Sequence, residues 1–297
     1  MKSRGDLKTE NKNPNSEHID QLSKTDILRI INYEDQTVAK AVEAAIPSIE
    51  QVVDLTIKSI KSNGRVFYIG AGTSGRLGVL DASEVPPTFS APKDLFIGII
   101  AGGDEALRNS IEGAEDQSEK AIMDLEPYHL NSRDTLIGIS CSGAAAYVIS
   151  ALDFAKSSGS KTAYLITNPK PFKITDVDVI INLNTGPEVV TGSTRMKAGS
   201  ATKMVLNMIS TTTMIRLGKV YGNLMVDLMA VNEKLIDRGT RIISELTGLD
   251  YKKSRKRLYE ADKSVKIAIV MEELNCSKDK AKKTLERNKG FLRGIIN

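Results

Sequence analysis

Val66-Phe67-Tyr68-Ile69-Gly70-Ala71-Gly72-Thr73-Ser74-Gly75 reads as a short apolar strand that turns at once into a helix. β-Branched and aromatic residues give way to glycines where a tight strand-to-helix turn needs them. Downstream, apolar runs at 95–100, 135–139, 162–166 and 177–181 are further strand candidates, separated mostly by helical stretches. Strands alternating with helices predict an α/β fold, a five-stranded parallel sheet with helices on both faces.

Upstream, the first two dozen residues are polar and include Asn13-Pro14-Asn15-Ser16, which predicts an extended arm before a first helix near Lys24. A second helix, capped by Asp35 or Thr37, is expected to carry Val38, Val42, Ala45, Ile46, Ile49, Val52 and Val53 at helical spacing and to end at Ser62-Asn63-Gly64. Long helices are expected over 195–217 and 224–246. From Gly239 onward, breaks at Gly248 and Asn275-Cys276-Ser277 predict a bundle of three or more short helices. The expected division is an arm, helices and sheet domain over 1–238, with its core at 55–218, and a small helical domain over 239–297.

The chain has 297 residues with 41 Lys and Arg, 37 Asp and Glu, and 41% hydrophobic content, the profile of a globular protein rather than a disordered one. No apolar run approaches the roughly 18–20 residues that span a bilayer. Met1-Lys2-Ser3-Arg4-Gly5-Asp6 lacks the apolar stretch of a secretory signal, so a cytoplasmic location without membrane contact is expected. Two cysteines and two histidines are too few for a disulfide framework or a protein-held metal, and neither metal nor cofactor is expected. Residues 251–297 hold 14 basic and 6 acidic side chains, which leaves 27 and 31 for the rest. Few aromatics interleave with that basic excess, and Leu258, Val265, Ile267, Ile269 and Val270 point to amphipathic helices with a solvated face, not to a nucleic-acid surface.

Gly70-Ala71-Gly72-Thr73-Ser74-Gly75 satisfies the dinucleotide spacing G-x-G-x-x-G, but the second strand candidate runs into Ala101-Gly102-Gly103 without the acidic residue that would hold a ribose. Thr73 and Ser74 instead offer two hydroxyls at a helix N-terminus, where free N–H groups favour an anion such as a phosphate monoester. The third strand ends alike, in Ser140-Cys141-Ser142-Gly143 before another helix. In an open parallel sheet the carboxyl ends of neighbouring strands form the ligand crevice, so both loops are expected to hold one phosphate. Cys141 has no neighbouring His, Lys or Arg and is read as a small loop residue rather than a nucleophile.

Several longer stretches extend this reading: Thr9-Glu10, Asn13-Pro14-Asn15-Ser16, Gly70 to Gly78, Asp81-Ala82-Ser83-Glu84 with Pro86-Pro87-Thr88, Glu112-Gly113-Ala114-Glu115-Asp116 and Gly186 to Gly199. On these the chain resembles, over almost its whole length, the N-acetylmuramic acid 6-phosphate etherase family. That family carries a sugar isomerase (SIS) phosphosugar-binding domain and is related to the glucokinase regulatory protein. The resemblance implies a SIS fold, a small C-terminal helical domain of ubiquitin-associated (UBA-like) type, and a homodimer with active sites near the subunit interface. It also implies conversion of N-acetylmuramic acid 6-phosphate and water to N-acetylglucosamine 6-phosphate and D-lactate in amino-sugar and peptidoglycan recycling.

The lactyl ether at C3 lies beta to the aldehyde of the ring-opened sugar, so loss of the C2 proton allows lactate to leave and water to add back. By resemblance Glu84 is the acid that protonates departing lactate and Glu115 the base at C2, with roles reversed for hydration. Glu84 precedes Val85-Pro86-Pro87, where the helix is expected to stop. Expected substrate contacts are Thr73, Ser74, Ser140, Ser142, Gly143, Ser193, Thr194 and Arg195, with Lys197 beside them at the start of a long helix. The chain departs from the family at Ala144-Ala145-Ala146, where an Arg-Thr-Pro-like stretch would supply a further hydroxyl. The alternative functions are a phosphosugar-sensing regulatory protein without catalysis, a sugar-responsive transcription factor and an aldose–ketose isomerase.

Overall fold

Five apolar segments extend into strands: β1 Val66–Gly70, β2 Phe96–Ile100, β3 Thr135–Ile139, β4 Lys161–Ile166 and β5 Val179–Asn182. All pair in parallel, in the order β2-β1-β3-β4-β5. Such a sheet needs cover on both sides, and β1 and β3 are buried along their full length. The computed structural model describes residues 4–296, so Met1, Lys2 and Ser3 of the expected arm and the terminal Asn297 lie outside the described residues.

Alternate strand residues face opposite sides. On one face Phe67, Ile69, Leu136, Tyr164 and Ile166 pack with α4 (Ser118–Leu125) and α5 (Ala146–Ser157). On the other, Ser59 of α2 (Ile46–Lys61) brings its hydroxyl to 2.6 Å from that of Thr135. There α3, which spans Gly72–Phe89, lies close against β1 and β2: a Cβ on Gly98 would fall 2.4 Å from the Cα of Val79. Helices thus cover both faces, as the sequence predicts. Strand order changes direction between β1 and β3, so the loops after these two strands open side by side.

The chain divides into two compact units, Met1–Ser83 with Asp94–Ser210 and Glu84–Lys93 with Thr211–Asn297. The first holds the sheet. In the second, α7 (Glu233–Thr247), α8 (Tyr251–Glu260), α9 (Val265–Glu273) and α10 (Lys278–Arg287) each begin at a polar cap: Asn232, Asp250, Ser264 and Ser277 accept the N–H three residues on. Ile236, Ile243, Leu258, Val265, Ile269 and Leu285 form part of their shared core. Beside it the buried Lys266 ammonium donates to the carbonyls of Gly218 and Gly290, both at 2.7 Å, and pairs with Asp227. Lys252, Lys256, Lys280, Lys282 and Lys283 form part of the solvated basic surface.

Local chemistry moves several expected boundaries. The first helix, α1 (Lys24–Glu43), continues through Asp35 and Thr37, since the Thr37 hydroxyl turns back to the Glu34 carbonyl instead of capping a new helix. The break falls at Ala44 and Ala45, ahead of Pro47, whose ring and missing N–H interrupt the helix. Helix α3 does not stop before Pro86-Pro87 but runs through both, because the φ of proline suits a helix and only two backbone bonds are lost. It ends at Ser90, with φ 49°. Residues 224–232 are not helical: Tyr221 and Leu224 exchange backbone hydrogen bonds, and α7 waits for the Asn232 cap. The long helix expected over 195–217 is α6, Lys197–Arg216. The arm is not extended; it folds into 3-10 turns at Arg4–Asp6, Lys8–Glu10, Pro14–Ser16 and Ile19–Gln21, with Leu7, Thr9, Asn13 and Ser16 buried. Among the described residues, no helix is long and apolar enough to cross a membrane.

Candidate active site

The turn after β1 is tight because its glycines allow the chain to fold onto itself: a Cβ on Gly75 would lie 2.6 Å from the Gly70 carbonyl oxygen, and Gly72 has φ 54°. It delivers Thr73 and Ser74 into the first turn of α3, whose opening N–H groups have no partner within the helix. The loop after β3 is fixed from below. The Cys141 carbonyl accepts from the backbone N–H and hydroxyl of Thr167 and from the Asn168 amide, at 3.0–3.2 Å. Ser142 accepts from the Ala144 N–H at 3.2 Å. The two loops meet where the Ser74 hydroxyl lies 3.6 Å from the Cys141 sulfur. Burial pushes the Cys141 thiol up, against hydrogen bonds from Ser74, Thr167 and Thr194, so it remains a neutral thiol.

Above these loops is a cavity of about 530 Å³. Thr73, Ser74, Ser140 and Ser142 line its floor, Thr194 and Gly192 one side, and Glu112 and Glu115 another. Glu115 stands on a 3-10 turn, Ala114–Asp116, entered through Gly113 in the left-handed conformation. Arg76 braces the preceding segment, donating to the carbonyls of Leu107 at 3.3 Å and Asn109 at 2.8 Å. Glu112 in turn accepts from Ser110 at 2.8 Å.

The arm supplies another wall. Thr9 is clamped on both sides: its hydroxyl accepts from Asn168 at 3.1 Å, and its carbonyl accepts from the Gly192 N–H at 3.2 Å. Next to it Glu10 points its carboxylate past Gly192, where a Cβ would come within 3.1 Å of a carboxylate oxygen. Leu7 and Glu10 thus line the cavity. The sequence offered Thr9-Glu10 only as part of a resemblance. Its contribution depends on a fold-back that no local pattern announces; Arg76 and Glu112, likewise named only within resembling stretches, reach the cavity from α3 and from the segment before the Ala114–Asp116 turn. The charged side chains of the lining are three carboxylates, Glu10, Glu112 and Glu115, and one guanidinium, Arg76, so any attraction for an anion must come mainly from the hydroxyls and backbone N–H groups.

Of the expected contacts, Thr73, Ser74, Ser140, Ser142, Thr194 and Glu115 share this cavity, whereas Glu84, Gly143, Ser193 and Arg195 do not line it. Glu84 is exposed on α3. Gly143 makes a left-handed turn against Pro171, and its N–H is taken by the Ser140 carbonyl at 3.2 Å. Arg195 is exposed, and Lys197 is not available to a ligand, being buried and paired with Glu34. The start of α6, expected to attract an anion, is already filled from within: Glu188 accepts the N–H groups of Lys197 and Ala198, each at 2.9 Å. Despite those bonds, burial holds the Glu188 carboxyl above its usual value. Ala145 lines the cavity and occupies the N-cap of α5 with no side-chain hydrogen bond.

A cavity that holds four hydroxyls and a glutamate has counterparts among known proteins. Residues 48–156 match the model of the glucokinase regulatory protein N-terminal SIS domain. The fold resembles that of the solved structure of E. coli CFT073 c3406, with a TM-score of 0.50 at 15% identity, over 68% of this chain and 97% of that one. Over 98% of its length this chain is 50% identical to the N-acetylmuramic acid 6-phosphate etherase of Rhizobium rhizogenes and 51% identical to that of Caldanaerobacter subterraneus, covering 95% of each. Sheet order, loop chemistry and identity across the whole chain agree, and the chain belongs to the N-acetylmuramic acid 6-phosphate etherase family.

Proposed function

We propose that the protein cleaves the D-lactyl ether of N-acetylmuramic acid 6-phosphate with water, giving N-acetylglucosamine 6-phosphate and D-lactate in amino-sugar recycling. The observation that carries this reading is the placing of Glu115 in the same cavity as the four hydroxyls of the β1 and β3 loops. With the phosphate in that cradle, Glu115 takes the C2 proton of the open-chain aldehyde. The C2 electron pair forms the C2–C3 double bond as the C3–O bond breaks, and Glu84 protonates the departing lactate. Water then adds at C3, its proton going to the Glu84 carboxylate, and Glu115 returns a proton to C2.

Glu84 is exposed and does not line the cavity that holds Glu115. We therefore place Glu84 in the site of a second copy, in a cytoplasmic homodimer whose two sites each draw on both chains.

Incubation with N-acetylmuramic acid 6-phosphate, without added metal or cofactor, should release D-lactate and N-acetylglucosamine 6-phosphate in equal amounts. Glu84→Gln should still exchange the C2 proton with solvent while releasing almost no lactate. Glu115→Gln should lose both activities. Binding of the phosphosugar by the wild type without lactate release would replace the enzyme with a sensor.

A further inference from the structure

Tyr164 of β4 is wholly buried, and its hydroxyl makes no well-formed hydrogen bond in the fold. An unpaired buried hydroxyl costs stability that phenylalanine would not. The strand register shows where it lies. Tyr164 pairs with Gly138, so both face the α5 side of the sheet. Ser140, two residues beyond Gly138 on the same chain, emerges on that side as well. Ser140 lines the cavity, and its hydroxyl is the neighbour that offsets part of the effect of burial on the phenol. Burial lifts the phenol to about 12, with Ser140 easing it slightly, so it is a donor at any working pH.

We propose that Tyr164 is a positioning residue for phosphate recognition: when Ser140 directs its hydrogen to a phosphate oxygen, its own oxygen accepts the hydrogen of Tyr164. A serine hydroxyl has one donor and two acceptor sites, and hydrogen bonds in series polarise one another. Phosphate, by fixing the Ser140 hydrogen on the cavity side, turns the serine lone pairs toward Tyr164 and closes a hydrogen bond that is not well formed in the free protein. It rests on the phosphate reading of the cavity and deepens it by giving Ser140 a fixed direction.

The test uses inorganic phosphate as probe and the full-length protein. Tyr164→Phe should raise the phosphate Kd about three- to tenfold, the effect of one neutral hydrogen bond, while its melting temperature is no lower than that of the wild type. In a Ser140→Ala background Tyr164→Phe should have no further effect on phosphate. Unchanged affinity, or an equal loss in the Ser140→Ala background, would overturn the relay. In wild-type protein carrying 13C at tyrosine Cζ, phosphate should shift the Tyr164 resonance, and Ser140→Ala should abolish the shift; a shift that persists in Ser140→Ala also overturns it. Lactate release separates the two readings. Wild type that releases lactate, with phosphate affinity indifferent to Tyr164→Phe, keeps the etherase and loses the relay. Wild type that releases none, with affinity sensitive to Tyr164→Phe, keeps the relay and loses the etherase.

Discussion

The carboxylate of Glu34 and the ammonium of Lys197 form an ion pair across 163 residues of sequence, with both side chains buried. Asn15 of the arm donates to the other Glu34 oxygen at 2.8 Å. Burial alone would raise the Glu34 carboxyl, but the Asn15 and Lys197 hydrogen bonds and the Lys197 charge outweigh it and hold the carboxyl below its ordinary value.

A carboxyl lowered in the fold contributes stability above its unfolded pKa, about 4.5, and loses it as pH falls through the lower native value. Urea melts from neutral pH down to roughly pH 3 should show this loss, and Glu34→Gln should flatten that part of the profile. At neutral pH Glu34→Gln should cost about 3–5 kcal/mol by leaving a buried Lys197 unpaired, with part recovered in Glu34→Met with Lys197→Met.

Sharing of sites between subunits is tested by mixing two inactive proteins. A hybrid of one Glu84→Gln chain and one Glu115→Gln chain has one site with both glutamates intact. Random exchange makes half the dimers hybrid, so lactate release should return to about a quarter of the wild-type rate. A mixture that stays inactive after verified exchange would place both glutamates in one chain.

Gly192 and Gly113 both have φ near 75°, but only Gly192 has a side chain close by, the Glu10 carboxylate. Alanine at either position should cost about 1–2 kcal/mol for the left-handed backbone. Gly192→Ala should lose more, and adding Glu10→Ala should remove the excess in urea melts. Gly192→Ala should also raise the substrate KM, since it displaces Glu10 within the cavity wall.

Ala145 occupies an uncapped helix start that opens on the cavity. Ala145→Thr supplies a capping oxygen, for which about 1 kcal/mol of stability is typical. The melting temperature should rise and the KM fall, because the same hydroxyl faces the phosphate cradle. A lower melting temperature would mean that the buried position has no room for the added atoms.

Strands and cradle were legible because their signals are local. Val66 to Gly75 holds both the apolar run and the glycines of its turn, and Ser140 to Gly143 repeats the arrangement. What the sequence hid depends on distant partners. Lys197 looks like an anion contact until Glu34 and Glu188 are brought beside it. Glu10 looks like an ordinary arm residue until Thr9 docks on Asn168 and Gly192. Pro86 and Pro87 were misread for another reason: proline lowers helix stability without forbidding a helix, and Val85 and Phe89, buried on either side, anchor the last turn.

The clamped arm sets an order of events during synthesis. Thr9 leaves the ribosome well before its partners Asn168 and Gly192, which are made about 160 to 180 residues later, roughly ten to forty seconds at ordinary translation rates. Through that interval the arm has nothing to dock on, and Leu7, an apolar side chain of the finished wall, stays open to chaperones and proteases. The nascent chain acquires this cavity only when the earlier Thr9 segment closes over the later Asn168 and Gly192.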